Sequence, residues 1–331
     1  MKKNTKIKYK YSYSDKSMAN QVLEYADCNP SKIAYEFMGR KCNYKKFKSQ
    51  IFSYARSLKN VGIKEGDTIS ICCVNTPSAI VMLYAANLIG AIVSMIHPLS
   101  SAYEIEDYLN QSKSKMLFVL DMIYPKVKNV IENTCVDNIV VGGIGNDLGF
   151  LKKMFFKITS KKSKVDYSDS VISLNDFLNY GYDYSDELIV DRKPEDPAAI
   201  LFSGGTTGVQ KGILLSNLNF NAFAVHSHEV IGNDNSVKSM LAILPLFHGF
   251  GLAACIHNSL FYGVKVILVP KFSTKDFSYT IKKYKPNFIC GTPSLFLSLT
   301  NEELKKNSLS CVKSAVSGGD FMSAKDKNII E

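Results

Sequence analysis

Arginine is scarce in this sequence and tryptophan is absent. Among its 40 basic residues the arginines are Arg40, Arg56 and Arg192. The net charge of +10 would suit a nucleic-acid-binding protein, but bidentate contacts to phosphates and bases favour arginine over lysine. The lysines are also spread along the whole chain, with no basic stripe. We therefore predict no nucleic-acid partner and interpret the charge as a compositional bias.

Several common functional motifs are missing as well. The eight cysteines form no C-x-x-C pair, and there is no G-x-S-x-G or G-x-G-x-x-G segment, which argues against a zinc framework, a serine hydrolase and a nicotinamide or flavin enzyme. His226 and His228 stand two positions apart and would point to different sides of a helix, and no acidic or cysteine residue completes a zinc-type spacing. We predict no protein-bound metal site.

No secretory signal is visible either. The lysine-rich N-terminus is not followed by an apolar segment, and the adjacent Cys72 and Cys73 lie in an apolar run typical of core positions. The strongly apolar stretch 79–96 is preceded by a helix start at Thr76-Pro77 and interrupted by Gly90. It therefore predicts a buried helix that leads into a buried strand. The cysteines, which look like core residues and not a disulfide framework, predict a cytoplasmic protein.

The periodicity of apolar residues alternates between helix and strand along most of the chain, and 46% of the residues are hydrophobic. Apolar strands that alternate with helices predict an α/β fold with doubly wound parallel sheets. The predicted organisation is a tail at 1–17, a first α/β subdomain at 18–143, an insert at 144–190 and a second α/β subdomain at 191–331.

The insert contains a lysine-rich segment in which Leu148, Leu151, Phe155 and Ile158 fall near one helical face. A basic amphipathic helix is typical of a peripheral membrane contact, where a fatty substrate would be delivered. A helix that packs on the core and exposes its lysines to water gives the same pattern. Both interpretations stay open at this point.

The segment 199–212 carries the clearest functional pattern. An apolar strand is followed by a loop rich in glycine and hydroxyl residues, and open α/β sheets bind ligands at the carboxyl ends of their strands. Glycines let backbone N–H groups converge on anionic oxygens, hydroxyls add neutral donors, and a lysine adds a positive charge. Lys211 is preceded by Gln210 and followed by Gly212, whereas a Walker A loop needs glycine before the lysine and serine or threonine after it. The loop is therefore not a Walker A loop. The loop predicts binding of the phosphates of ATP, although surface turns can have this composition.

Four segments together resemble the adenylate-forming superfamily, which includes acyl-CoA synthetases. They are the loop Ser203-Gly204-Gly205-Thr206-Thr207-Gly208-x-x-Lys211-Gly212, then Leu244-Pro245-Leu246-Phe247-His248-Gly249-Phe250-Gly251, Gly291-Thr292-Pro293-Ser294 and Val316-Ser317-Gly318-Gly319-Asp320. Two positions depart from the pattern, because Gln210 replaces a usual proline and Asn217 a frequent histidine. Neither change disturbs the predicted backbone cradle.

The resemblance implies roles for particular residues. Ser203, Gly204, Gly205, Thr206, Thr207, Gly208 and Lys211 would hold the β- and γ-phosphates of ATP with Mg²⁺. His248, with Phe247 and Gly249, would line the place where the carboxylate meets the nucleotide, and His248 and Lys211 would take part in catalysis. Gly318 and Gly319 would border the acyl channel and the adenine. Without the motif, His248 would be interpreted as a core histidine and the glycine pair as an ordinary turn.

The resemblance also identifies elements that this sequence does not contain. An aromatic-Gly-x-Thr-Glu segment, a ribose-binding aspartate and a small C-terminal domain with a catalytic lysine would follow, yet the sequence ends at Glu331, twelve residues after Gly319. We expect a truncated, incomplete N-terminal domain of a ligase that joins a carboxylic acid, most simply a fatty acid, to coenzyme A. The isolated chain would then be inactive, with its C-terminal part on a separate polypeptide or lost. The alternative hypothesis is a non-catalytic remnant that binds nucleotide or acyl ligand as an interaction protein.

Overall fold

The computed structural model of the chain describes residues 13–149, 152, 164–182, 184–185, 187–203, 210–231, 237–273, 277–298 and 309–330. The helices are α1 (Met18–Cys28), α2 (Tyr44–Asn60), α3 (Pro77–Leu88), α4 (Ala102–Ser112), α5 (Tyr124–Val127), α6 (Ile144–Asp147), α7 (Leu174–Tyr180), α8 (Asn217–Ile231), α9 (Asn258–Phe261), α10 (Phe277–Tyr284), α11 (Pro293–Leu297) and α12 (Ala324–Ile330). A 3₁₀ turn at Ile131–Asn133 and a π-helix at Phe250–His257 complete the helical part.

The strands are β1 (Ile33–Phe37), β2 (Arg40–Asn43), β3 (Thr68–Cys72), β4 (Ile92–Met95), β5 (Ser114–Leu120), β6 (Asn138–Gly142), β7 (Val171–Ser173), β8 (Pro197–Phe202), β9 (Gly212–Ser216), β10 (Ser239–Ala242), β11 (Lys265–Leu268), β12 (Phe288–Gly291) and β13 (Ser314–Ser317). The predicted α/β class with parallel sheets is confirmed. Most of the lysine-rich segment of the insert lies outside the described residues, so a membrane contact there stays a prediction.

Two sheets form the framework of the described structure. The first has seven strands in the order β7-β6-β5-β3-β4-β8-β9, and all neighbours are parallel apart from β8 and β9. The second has six strands in the order β13-β12-β10-β11-β1-β2, parallel apart from the β1–β2 hairpin. Because parallel strands share a direction, their carboxyl ends lie along one edge of each sheet.

Sheet membership does not follow chain order. The β1–β2 hairpin comes early in the chain but pairs with β11 of the second sheet, where Tyr35 is opposite Val266. In the other direction, β8 pairs with β4 of the first sheet, where Val93 is opposite Ala199. Each sheet thus takes strands from both halves of the sequence. The subdomain boundaries given above are not tested by this arrangement and stay a proposal.

Helix α3 explains the long apolar stretch of the sequence. Thr76 caps its N-terminus by accepting a hydrogen bond from the N–H of Ala79 at 3.3 Å, and Pro77 occupies the first turn, where the missing N–H costs nothing. Every residue of α3 is buried, and the chain leaves the helix through Gly90, whose φ is +79°. The predicted buried helix is confirmed. Within the described residues, no helix is both long and apolar enough to cross a membrane.

Asn75 joins the carboxyl ends of the two sheets. It follows β3 of the first sheet, and its side-chain amide donates to the carbonyl oxygens of Ala242 and Leu244 at 3.0 and 2.9 Å. Its side-chain oxygen accepts the N–H of Leu246 at 2.8 Å. A side chain that satisfies three backbone groups fixes the course of the chain after β10. The segment 244–251 is therefore held against the carboxyl edge of the first sheet.

Candidate functional site

The predicted phosphate loop connects β8 to β9, and the structure describes its two arms. Ser203 and Lys211 face each other across the hairpin, with the N–H of Ser203 donating to the carbonyl oxygen of Lys211 at 3.1 Å. The antiparallel register continues below them, where Phe202 is opposite Gly212. The intervening predicted residues lie outside the described part: Gly204, Gly205, Thr206, Thr207 and Gly208. Both ends of the loop therefore start from one rigid hairpin.

Helix α4 holds the second arm of this loop. The hydroxyl of Tyr108 donates a hydrogen bond to the side-chain oxygen of Gln210, and the side-chain amide of Gln111 donates to the backbone oxygen of Gln210 at 3.1 Å. The Tyr108 ring also stacks on Phe202 of the first arm, with centroids 4.1 Å apart. Gln210 thus replaces the usual proline with a residue that can be tethered through its side chain.

The segment after β10 reaches the same region from the second sheet. Phe247 is buried, whereas His248 is exposed, and partial burial lowers the pKa of the His248 imidazole. A Cβ placed on Gly249 would lie 3.4 Å from Cδ1 of Leu201, so this segment passes close to the end of β8. The structure therefore brings His248 and Gly249 to the strand that leads into the phosphate loop.

A second histidine completes a ring cluster at this point. His97 follows β4, and its ring lies 4.3 Å from that of Phe247 and 6.1 Å from that of His248, measured between centroids. The N–H of Leu99 donates to Nδ1 of His97 at 2.9 Å. Burial, and then the nearby His248, lower the pKa of His97, while Glu104 acts in the opposite direction. Together these effects lower the pKa of His97 and favour its neutral imidazole.

Two cavities meet at the ring cluster. The first has a volume of about 420 Å³ and includes Glu104, Tyr108, Gln210 and His248 in its lining. The second has a volume of about 700 Å³ and is mainly apolar, with walls from the strand ends of both sheets: Val74, Ile123, Ile144, Ile243, Leu244, Val269, Phe272 and Leu295. His97, Leu99 and Phe247 line both. A smaller cavity with a mixed lining, beside the predicted phosphate loop, thus adjoins a larger and mainly apolar one.

The glycine pair ends the neighbouring strand β13. The N–H of Gly318 donates to the carbonyl oxygen of Gly291 at 3.0 Å, and a Cβ on Gly318 would lie 3.2 Å from the ring of Phe250. Gly319 has φ of +81°, a conformation that glycine adopts without strain. Gly318 therefore lies beside Phe250 of the π-helix that follows His248, whereas a Cβ on Gly319 would have Thr292 as its nearest neighbour, at 3.9 Å.

The other histidines serve structural contacts. His257 is fully buried, its ring nitrogens pair with the hydroxyl of Tyr84 and the side-chain oxygen of Asn221, and burial lowers its pKa to about 3. His228 stacks on Tyr262 at 3.9 Å. In the part of the chain that the structure describes, no three His, Cys, Asp or Glu side chains gather as metal ligands would.

Sequence reasoning did not select His97, Tyr108 or Gln210 as site residues. One signal was available for His97, because it comes two residues after an apolar strand of a parallel sheet, where ligands bind. Tyr108 gave no such signal, since an aromatic residue on an amphipathic helix is ordinary. Its contact with Gln210 joins residues 102 positions apart and depends on how α4 packs.

Comparison with known proteins agrees with this arrangement. The family described as "AMP-binding enzyme" matches residues 22–328. A long-chain-fatty-acid–CoA ligase of Bacillus subtilis (strain 168) is 28% identical over 98% of this chain and 59% of its own length. A protein of the same name from Haemophilus influenzae is 27% identical over 93% of this chain and 57% of its own.

Solved structures share the fold. The chain superposes on a long-chain-fatty-acid-CoA ligase of Archaeoglobus fulgidus with a TM-score of 0.80, at 22% identity over 97% of this chain and 61% of that one. An anthranilate CoA ligase in complex with anthranoyl-AMP gives a TM-score of 0.82 at 17% identity, over 96% of this chain and 57% of that one. The sequence thus spans about three-fifths of the length of these proteins. Because the family match covers almost the whole sequence, the chain belongs to the AMP-binding enzyme family.

Proposed function

We propose that this chain binds MgATP and a fatty acid for ATP-dependent carboxylate activation, which gives an acyl-adenylate and then, with coenzyme A, an acyl thioester. The observation that carries the proposal is the meeting of two cavities at one site. The smaller one is lined by Phe202 and Gln210 of the arms of the predicted phosphate loop, and the larger, mainly apolar one has the volume and lining that an acyl chain needs. The relatives named above are ligases, which favours this proposal over a non-catalytic binding protein.

The reaction determines what the site must supply. A carboxylate oxygen attacks the α-phosphorus of ATP, the bond to the bridging oxygen breaks, and pyrophosphate leaves with the electron pair. Both reactants are anions, so phosphate charge must be compensated and water kept from the mixed anhydride. We assign charge compensation to Lys211 and hydrogen bonds to the loop residues Ser203, Gly204, Gly205, Thr206, Thr207 and Gly208. Mg²⁺ would arrive with the phosphates, which supply most of its ligands.

The acid would lie across the junction between the cavities. We propose that Phe247, His248 and Gly249 line the place where its carboxylate meets the nucleotide, and that Gly318 and Gly319 let the acyl or adenylate group pass close to the backbone. Burial of an acyl chain contributes about 0.8 kcal/mol per methylene, so an apolar cavity favours long chains over short ones. The catalytic assignments, His248 and Lys211, rest on the family pattern and on their position at this junction.

We also propose that the isolated chain binds its ligands without turning them over. The glutamate, ribose-binding aspartate and lysine that the family pattern would add do not occur in these 331 residues. Charge that develops in the transition state would therefore be compensated in part only. Acid-dependent exchange of pyrophosphate into ATP, lost in Lys211→Ala, would contradict this part of the proposal.

Nucleotide binding gives the direct test. Titration of MgATP in a calorimeter should give a dissociation constant that rises about 10-fold or more in Lys211→Ala, as expected for loss of a charged hydrogen bond. Lys41→Ala removes an exposed lysine of β2 and serves as the matched control, with an unchanged constant. Equal constants for the wild type and Lys211→Ala, or no binding by the wild type, would contradict the proposed nucleotide site.

A further inference from the structure

We propose that His97 is a specificity-determining residue that recognises the carboxyl group of the acid, with its Nε2–H as the donor. This inference rests on the proposed function and adds a residue that the family motifs do not contain. It assigns a headgroup contact to the junction of the two cavities and distinguishes acids from other amphiphiles of equal chain length.

The position of His97 is the first argument. His97, Leu99 and Phe247 line both cavities, and His97 has the hydrogen-bonding side chain among these three. His248 lines the smaller cavity and not the larger one. An acid whose chain fills the apolar cavity must place its carboxyl group at this junction in order to reach the nucleotide. His97 is therefore the imidazole that such a carboxyl group meets as it leaves the apolar cavity.

The orientation of the ring is the second argument. Nδ1 of His97 accepts the N–H of Leu99 at 2.9 Å, so the neutral ring carries its proton on Nε2. Contact with the Phe247 ring holds the imidazole in place. Across the described residues, Nε2 of His97 has no hydrogen-bond partner within the protein. One nitrogen is thus fixed by the backbone of the same turn, which leaves the other as a donor for a ligand.

The charge of the ring is the third argument. Burial and the nearby His248 lower the pKa of His97, which favours the neutral ring, and a neutral ring offers a hydrogen bond without a full positive charge. A neutral donor can hold one carboxylate oxygen while the other stays available to attack phosphorus. A charged partner would stabilise the carboxylate itself and make it a weaker nucleophile. The compensation of phosphate charge is left to Lys211.

The test compares two ligands of equal chain length with and without a carboxyl group. Decanoate and 1-decanol compete with a fluorescent fatty-acid probe for the full chain at pH 7.5. His97→Phe keeps an aromatic ring against Phe247 and removes the donor, whereas His97→Gln places an amide N–H at a reach similar to that of Nε2. His228→Phe makes the same change at a histidine that lines neither cavity.

We expect His97→Phe to weaken decanoate binding about 10-fold and to leave 1-decanol binding within twofold, since a single hydrogen bond to a charged group is lost. His97→Gln should bring decanoate binding back to within about threefold of the wild type, and His228→Phe should match the wild type for both ligands. Retained binding of 1-decanol shows that each variant is folded.

Two results would overturn the role of His97 and leave the proposed function standing. One is a His97→Phe variant in which decanoate and 1-decanol weaken equally, and the other is a variant in which neither weakens. A wild-type chain that binds neither ligand would overturn both the role of His97 and the proposed fatty-acid site. If His97→Phe does not fold, His97→Gln becomes the deciding variant. Loss of the preference for decanoate over 1-decanol in His97→Gln would then contradict the proposal.

Discussion

In the segment after β10, Gly251 is the glycine at which an added side chain would clash most severely. A Cβ at this position would lie 2.0 Å from the carbonyl oxygen of Pro245 and 2.8 Å from that of Leu244. Both obstacles are backbone atoms, so no rotamer change relieves them. At Gly249 the nearest atom to an added Cβ is Cδ1 of Leu201, at 3.4 Å, which is ordinary contact. Backbone atoms therefore leave no space for a side chain at Gly251, whereas the space at Gly249 would accept a methyl group.

We predict that Gly251→Ala lowers the free energy of unfolding by about 3 kcal/mol, because the chain after β10 must move to accept the methyl group. Gly249→Ala should cost less than about 1 kcal/mol, since its methyl group meets the end of a flexible side chain. Urea unfolding followed by circular dichroism measures both. Equal losses in the two variants would show that the backbone contact at Gly251 is not the cause.

Helix α4 and the β8–β9 hairpin form one unit at the scale of elements. The helix begins with a capping box, in which Ser101 and Glu104 bond each other's backbone N–H groups. One turn further on, Tyr108 reaches Gln210, and Gln111 reaches the backbone of the same residue. A helix with a fixed start can hold the loop arm in a constant position, which favours a preformed phosphate site.

This contact predicts coupling in a double-mutant cycle. Tyr108→Phe keeps the stack on Phe202 but removes the hydroxyl, and Gln210→Ala removes its acceptor. Each should raise the dissociation constant of MgATP about fivefold, and the double variant should be no worse than either, a coupling of about 1 kcal/mol. Tyr103→Phe, at a position 79% exposed on the same helix, is the control and should be neutral. Additive effects would contradict the tether.

Asp147 joins parts of both sheets at the scale of the whole molecule. It ends α6, its carboxylate accepts a hydrogen bond from the hydroxyl of Ser78 on α3 at 2.6 Å, and its backbone oxygen accepts one from Arg40 of the β1–β2 hairpin at 3.3 Å. The residue is half-buried as a whole, but its carboxyl group is enclosed. Burial raises the pKa of Asp147 to about 6, against the opposing effects of Ser78 and Arg40.

The raised pKa makes stability depend on pH. The folded chain binds the proton of Asp147 up to about pH 6, whereas the unfolded chain releases it near pH 4, so this group's contribution falls as pH rises between these values. Asp147→Asn removes the effect. The unfolding free energy of the variant relative to the wild type should rise by about 2 kcal/mol between pH 4.5 and 7.5, as expected for a pKa of about 6 in the folded chain and near 4 in the unfolded chain.

Urea unfolding over this pH range measures the difference. Asp169→Asn makes the same change at an exposed aspartate and serves as the control. A flat difference between Asp147→Asn and the wild type would show that the pKa of Asp147 is the same in the folded and the unfolded chain. A difference that falls with pH would show that Asp147 has a lowered pKa instead.

Local features of the fold were predictable from the sequence by itself. The apolar runs of β3, β4, β5 and β8, the capped start of α3 at Thr76 and its exit at Gly90 each depend on residues close together in the chain. The same holds for the family motifs, because the functional groups of a glycine-rich loop after a strand come from residues that are neighbours in the sequence. Ser203, Lys211 and His248 could therefore be selected before any packing was known.

Only the tertiary structure decided which strands share a sheet and which side chains meet. The sequence of the β1–β2 hairpin does not say that it pairs with β11, since backbone hydrogen bonding is the same for any partner and packing of distant apolar faces makes the choice. Likewise, the sequence does not distinguish His97 from the other four histidines of the chain. Its place after β4, between two cavities, is visible only in the structure. Local patterns determine elements and motifs, whereas contacts between residues a hundred positions apart depend on the packing of all the elements at once.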